Sequence, residues 1–132
     1  MYTSKMVIVI RKDLNMRKGK MIAQAGHAVL GAFLNHFSVN ETLTGEYQYY
    51  TYDNEILKNW INFYQTKICV YVNSENELLE LYNQCIDNEI NAYLVHDAGL
   101  TEFNNTPTIT CLAIGPDITD DIDAITGHLP LL

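Results

Sequence analysis

At 132 residues, with 48% hydrophobic and 18% charged side chains, the chain can bury a real core and is too apolar to be disordered, which predicts one globular domain over 1–132. A formal net charge of −8 argues against a nucleic-acid partner, but the distribution reverses this: six of the eight basic residues (Lys5, Arg11, Lys12, Arg17, Lys18 and Lys20) fall in the first twenty positions, against one of the sixteen acids, Asp13. A basic end on an acidic body suits RNA phosphates; the rival reading is a loop of solvated charges.

The elements follow in chain order. Met6 to Ile10 is a continuous apolar run, which predicts a central strand buried on both faces. A polar connection over Asp13–Gly19 leads into a helix from Lys20 to about Phe37, whose Ile22, Ala25, Val29, Ala32 and Phe33 predict one buried stripe, with Lys20, Gln24 and His27 sharing another face. Residues 38–53, with Tyr47, Tyr49, Tyr50 and Tyr52, read as an excursion before a short helix near Glu55–Phe63. Those tyrosines either pack the excursion onto the domain or stack on bases. Thr66–Val72 reads as a strand, and Ser74 with Glu77 as a capping box opening a helix that buries Leu78, Leu81, Tyr82 and Cys85. Strands are expected at Asn91–His96 and at Thr108–Ile114, the latter stopped by Gly115-Pro116, and a final helix at Asp117–Thr126. The fold class is therefore α/β: a single domain, with a mixed sheet of about four strands and helices on both faces.

Two segments carry candidate chemistry, Arg11–Lys20 running into the helix of Gln24 and His27, and His96-Asp97-Ala98-Gly99-Leu100-Thr101. The first supplies cations, the second a carboxylate and a hydroxyl. Such a set orients and deprotonates a water while a cation steadies the developing oxyanion, without a covalent intermediate. His27, His36, His96 and His128 lack mutual ligand spacing, and there is neither a Walker loop nor a nucleophile elbow. No metal or other cofactor is expected. No segment approaches the roughly 20 apolar residues of a membrane span, and Cys69, Cys85 and Cys111 read as reduced, buried thiols of a cytoplasmic protein.

Three ordered motifs carry a family resemblance: Lys5–Leu14 with Met16–Lys20 and Ala23–Ala28; His96–Glu102; and Cys111–Pro116 followed by Thr126-Gly127-His128-Leu129. Together they resemble the archaeal and eukaryotic type of peptidyl-tRNA hydrolase, over nearly the whole chain except about 38–55. The resemblance implies cleavage of the ester between a peptide and the 3′ end of tRNA, with no cofactor, and suggests a homodimer. It carries the catalytic roles to Lys20, Asp97, Thr101 and His27, and to a second threonine best matched by Thr108, with Thr106 as the alternative. Arg11, Lys12, Arg17, Lys18 and Gln24 become substrate-binding candidates. Arg17 stands where the family's first motif has glycine, Leu100 and Glu102 where the second has a basic residue and glutamine, and Asn104-Asn105-Thr106-Pro107 replaces a shorter Pro-Gly turn. Two other readings stay open: a non-catalytic RNA-binding module of the same fold, and a protein-interaction domain using the acidic surface and the tyrosines.

Overall fold

The computed structural model describes residues 3–132. At its centre the apolar run forms β1 (Ser4–Arg11), buried from Ser4 to Ile10. Side chains alternate across a strand, so Met6, Ile8 and Ile10 meet one layer of helices while Val7 and Val9 meet the other. The chain then adds α1 (Lys18–Leu34), β2 (Ser38–Glu41), β3 (Tyr47–Tyr50), α2 (Glu55–Asn62), β4 (Lys67–Val72), α3 (Glu75–Asp87), β5 (Ala92–Asp97), β6 (Thr108–Ile118) and α4 (Thr119–Thr126). The main sheet has four strands in the order β4-β1-β6-β5. β1 pairs parallel with β4 and antiparallel with β6, and β6 pairs antiparallel with β5, so β1, β4 and β5 all end at the same edge of the sheet.

Helices cover both faces, as the alternation requires. Ala28 and Ala32 of α1 and Leu57 and Trp60 of α2 pack on the Met6 side. Leu78, Leu81 and Cys85 of α3 and Ile122 and Ile125 of α4 pack on the Val7 side. At the start of α3 the Ser74 hydroxyl accepts from Glu77 N–H (3.1 Å), and the Glu77 carboxylate reaches back to the N–H of Asn73 (2.7 Å), one residue before the serine. This is the capping box displaced by one donor.

Four expectations are corrected. The buried line of α1 is Gln24, Ala28 and Ala32, at i, i+4 and i+8, whereas Ile22 is 72% exposed; a polar residue at a core-facing position pulled the sequence reading off axis. β6 does not stop at Gly115-Pro116. Gly115, at φ +104, lies beside an irregularity in the ladder at Lys5–Val7, and the strand rejoins β1 at Asp117 and Ile118. The last helix therefore begins at Thr119 rather than Asp117. Residues 38–50 form an antiparallel hairpin, β2 with β3, in which Tyr47, Tyr49 and Tyr50 are exposed, as is the following Tyr52; these rings do not pack the segment onto the domain.

The three cysteines are free thiols. Burial pushes Cys85 and Cys111 up to about 12 and raises the half-buried Cys69 as well. Among the described residues no helix is long and apolar enough to cross a membrane.

Candidate functional site

The common edge where β1, β4 and β5 end also receives the first turn of α1, because a short 3₁₀ turn (Lys12–Leu14) carries the chain from β1 over the top of the sheet. Lys20 projects from that first turn and Asp97 from the last position of β5. The Lys20 ammonium donates to Asp97 Oδ1 at 2.8 Å and to Thr101 Oγ1 at 2.7 Å. Both side chains are largely enclosed, 12% and 14% exposed, so the pair is screened less than a surface ion pair. An ammonium has three hydrogens, and one remains for a substrate.

Asp97 is held from three sides. Gln24 Nε2 also reaches Oδ1 (3.3 Å), and the N–H of Gly99 donates to Oδ2 (2.9 Å). These donors, Lys20 above all, hold the carboxyl below its usual 3.8, against the opposing effect of burial. Asp97 is thus an ionised carboxylate at neutral pH. Gly99 sits at φ +83, and a Cβ there would run into the backbone of Thr106. That position admits the turn only without a side chain.

Sequence reasoning missed one member of the network. Thr110 is fully buried, and its hydroxyl donates to Gln24 Oε1 at 2.6 Å. That bond fixes which end of the Gln24 amide faces Asp97: the oxygen toward Thr110, the nitrogen toward the carboxylate. The Cys111 thiol adds a contact to the Gln24 carbonyl at 3.4 Å. Thr108 pairs with Asp97 across the ladder, but its hydroxyl turns back to the Thr106 carbonyl (2.8 Å). The ladder irregularity between Val95 and His96 is the feature that lets Thr110 meet the helix, and no sequence pattern announces it.

The remaining candidates separate. His27 is exposed and stands seven residues beyond Lys20, about 10 Å along the helix axis; among the described residues it makes no hydrogen bond with the network. Arg11 is occupied by Asp13 (2.8 Å) and the Ile109 carbonyl (2.9 Å). Lys5, counted with the basic end, lies near the opposite edge, paired with Asp123. The site rim keeps Lys12, Lys18 and Arg17, all exposed. Arg17 lies 3.8 Å from Glu102, whose carboxylate also accepts the Arg17 N–H at 3.3 Å; the residue that departs from the motif thereby fastens the 98–107 loop to the start of α1. An apolar cleft of about 610 Å³, lined by Val29, Leu30, Phe33, Trp60 and Ile61, opens on the flank of α1 and contains none of these polar groups.

A lysine-held carboxylate with two hydroxyls and an amide lies at the edge of an α/β sheet beside exposed cations, an arrangement chemically able to orient a water and steady a developing oxyanion. The family described as peptidyl-tRNA hydrolase PTH2 matches residues 4–132, and the chain belongs to that family. It is 42% identical over 128 residues to a peptidyl-tRNA hydrolase of Methanocaldococcus jannaschii, covering 97% of this chain and 99% of that one. A Methanothermobacter thermautotrophicus peptidyl-tRNA hydrolase is 44% identical with the same coverage. A probable peptidyl-tRNA hydrolase 2 of Drosophila melanogaster is 40% identical over 97% of this chain and 61% of its own length. Among solved structures, a protein of unknown function from Agrobacterium, Atu0240, superposes with a TM-score of 0.60 at 11% identity, covering 100% and 99% of the two chains; this likeness is one of fold.

Proposed function

We infer that Asp97, Lys20, Thr101, Gln24 and Thr110 carry the family's reaction in this chain, hydrolysis of the ester between a peptide and the 3′ end of tRNA. The observation behind this is the Lys20 ammonium shared between Asp97 and Thr101 at 2.8 and 2.7 Å. Asp97 orients the attacking water and accepts its proton as the new C–O bond forms. Its lowered pKa makes it a modest base, so orientation and charge are its larger contributions. The free hydrogen of Lys20 stabilises the oxyanion. Because Thr101 Oγ1 accepts from Lys20, its own O–H is free to donate a hydrogen bond to the leaving ribose oxygen. As the bond to that oxygen breaks, the proton that Asp97 took from the water passes to it, Asp97 returns to the carboxylate, and a 3′-hydroxyl and a peptide acid, which ionises to the carboxylate, result.

Gln24 and Thr110 act through Asp97: the buried Thr110 hydroxyl sets the amide, and the amide sets the carboxylate. Lys12, Lys18 and Arg17 contact tRNA phosphates, Arg17 by leaving its weak pairing with Glu102. Arg11 is a positioning residue for the 3₁₀ turn rather than a phosphate ligand. We propose for His27 no part in the chemistry, and for Thr108 a part in holding the turn before β6.

The reading is completed by a cytoplasmic location and by a homodimer formed through α1, whose Ile22, Leu30 and Leu34 are exposed beside the apolar cleft. Sedimentation of the purified chain tests the dimer. Release of blocked amino acid from N-acetyl-aminoacyl-tRNA tests the reaction. Multiple turnover without added metal is the expected result, and tRNA binding with no release would establish the non-catalytic RNA-binding module instead.

A further inference from the structure

A lysine and a tyrosine stand at the same sheet edge as Asp97 but at the far side of the sheet. Tyr71 is the penultimate residue of β4, and the Lys12 ammonium lies 4.3 Å from the centre of its ring. Cys69 packs with the α1-side cluster and Val70 and Val72 with the other, so the alternation puts Tyr71 on the α1 side, the side of Lys20 and Gln24. The backbone at this edge is anchored: Tyr71 N–H donates to the Pro130 carbonyl, and Val70 is bridged to Leu131. Tyr71 is half-buried while Lys12 is exposed. Lys12 makes no salt bridge among the described residues.

The strand order fixes the separation. From β5 to β4 the sheet crosses three inter-strand spacings, about 14 Å. That is the reach of roughly four stacked nucleotides at about 3.4 Å each, and of fewer in an extended strand. A nucleic-acid strand whose terminal ribose ester lies at Asp97 and which runs along this edge therefore brings an upstream base to Tyr71. Lys18 stands between the two ends, lining a small recess with Ile10, Cys69 and Leu132.

We propose that Tyr71 and Lys12 form a second subsite for the unpaired 3′ tail of the tRNA, in which the tyrosine ring stacks an upstream base and the lysine takes the adjoining phosphate. The proposal rests on the ester-hydrolase reading above. An exposed ammonium–ring contact is weak, about 0.5–1 kcal/mol, so Lys12 over Tyr71 is a resting arrangement. A phosphate draws the ammonium away and uncovers the ring. Stacking on an aromatic side chain tolerates any base, and a reader of this kind serves an enzyme whose tRNA substrates share their tail.

The test compares two esters of the same N-acetyl-amino acid, one on adenosine alone and one on the isolated 3′-tail oligonucleotide, with the wild type, Tyr71→Ala, Tyr71→Phe and Lys12→Gln. The readout is the ratio of kcat/KM for the oligonucleotide to that for adenosine, which is independent of how much of a variant is folded. The wild-type ratio is expected to exceed one. Tyr71→Ala is expected to lower it by about fivefold to a hundredfold, the range of one lost stack, whereas Tyr71→Phe retains it. Lys12→Gln lowers it and reduces its salt dependence. A Tyr71→Ala ratio equal to that of the wild type, or a wild-type ratio of one, overturns the subsite while leaving the ester-hydrolase reading intact. A wild type that cleaves neither ester overturns both.

Discussion

Thr110→Val isolates the one site hydroxyl that is fully buried. The change keeps shape and removes only the donor to Gln24 Oε1, which stands at 2.6 Å on a glutamine that is itself 3% exposed. A buried acceptor left unpaired costs about 1–3 kcal/mol. Unfolding entropy near 2.1 cal/mol/K per residue, taken over the 132 residues, converts this to a fall in Tm of about 4–11 °C. The larger consequence is catalytic. Without Thr110 the Gln24 amide has no donor to fix its orientation, and Asp97 loses one of its three supports. A hydrogen bond to a charged group is worth about 1.5–3 kcal/mol, so kcat should fall roughly tenfold to a hundredfold with KM little changed. Thr110→Ser, which keeps the hydroxyl, should recover most of kcat. Thermal unfolding and initial-rate kinetics on N-acetyl-aminoacyl-tRNA measure both effects. Wild-type kcat in Thr110→Val refutes the positioning role, and equal losses in the valine and serine variants assign the effect to packing.

Asp97 should titrate below 3.8, because the Lys20 hydrogen bond leads the groups that lower it. A depressed carboxyl contributes stability that is full above its unfolded pKa and is lost as pH falls through the folded value, so Lys20→Met should move the Asp97 titration upward and shrink the stability that the wild type loses on acidification. Carboxyl NMR reads the shift, and a wild-type Asp97 titrating at or above 3.8 contradicts the geometry. Arg17→Ala and Lys12→Ala should each raise KM and reduce the log–log salt slope of kcat/KM by something under one unit while kcat stays close to wild type; unchanged KM and slope would leave these cations as solvated charges. Cys85 and Cys111, pushed up to about 12, should resist alkylation in the folded protein at pH 8, with any labelling confined to Cys69. Mass spectrometry of the labelled protein checks this, and rapid native-state labelling of either buried thiol would overturn it.

The fold was legible where local patterns and tertiary packing agree. Met6–Ile10 announced a strand buried on both faces, Ser74 with Glu77 announced a helix start, and the order of elements implied a mixed sheet. It was less legible where a polar side chain belongs inside. Gln24 occupies the sheet-facing line of α1, and a periodicity count that treats glutamine as surface rotates the helix and buries Ile22. The hairpin of residues 38–50 lacks a buried face, so its strands carry no hydrophobic alternation to read. Of the site, Lys20, Asp97 and Thr101 were placed by motif, and the geometry brings them together. Thr110 escaped because its role depends on an irregularity in the β5–β6 ladder. Charge counting likewise placed Lys5 and Arg11 with the free cations, although one is paired near the opposite edge and the other is occupied by Asp13 and a carbonyl.

The central claim is that Asp97, held by Lys20 and Gln24, activates the water that cleaves the ester. Single-turnover release of N-acetyl-amino acid from tRNA by Asp97→Asn tests it most directly, with tRNA affinity and Tm measured on the same preparation. The amide keeps the shape of the carboxylate and removes its charge and basicity. Release should slow by about a hundredfold or more, while the variant stays folded and continues to bind tRNA. A folded Asp97→Asn that releases amino acid at the wild-type rate would show that another group activates the water.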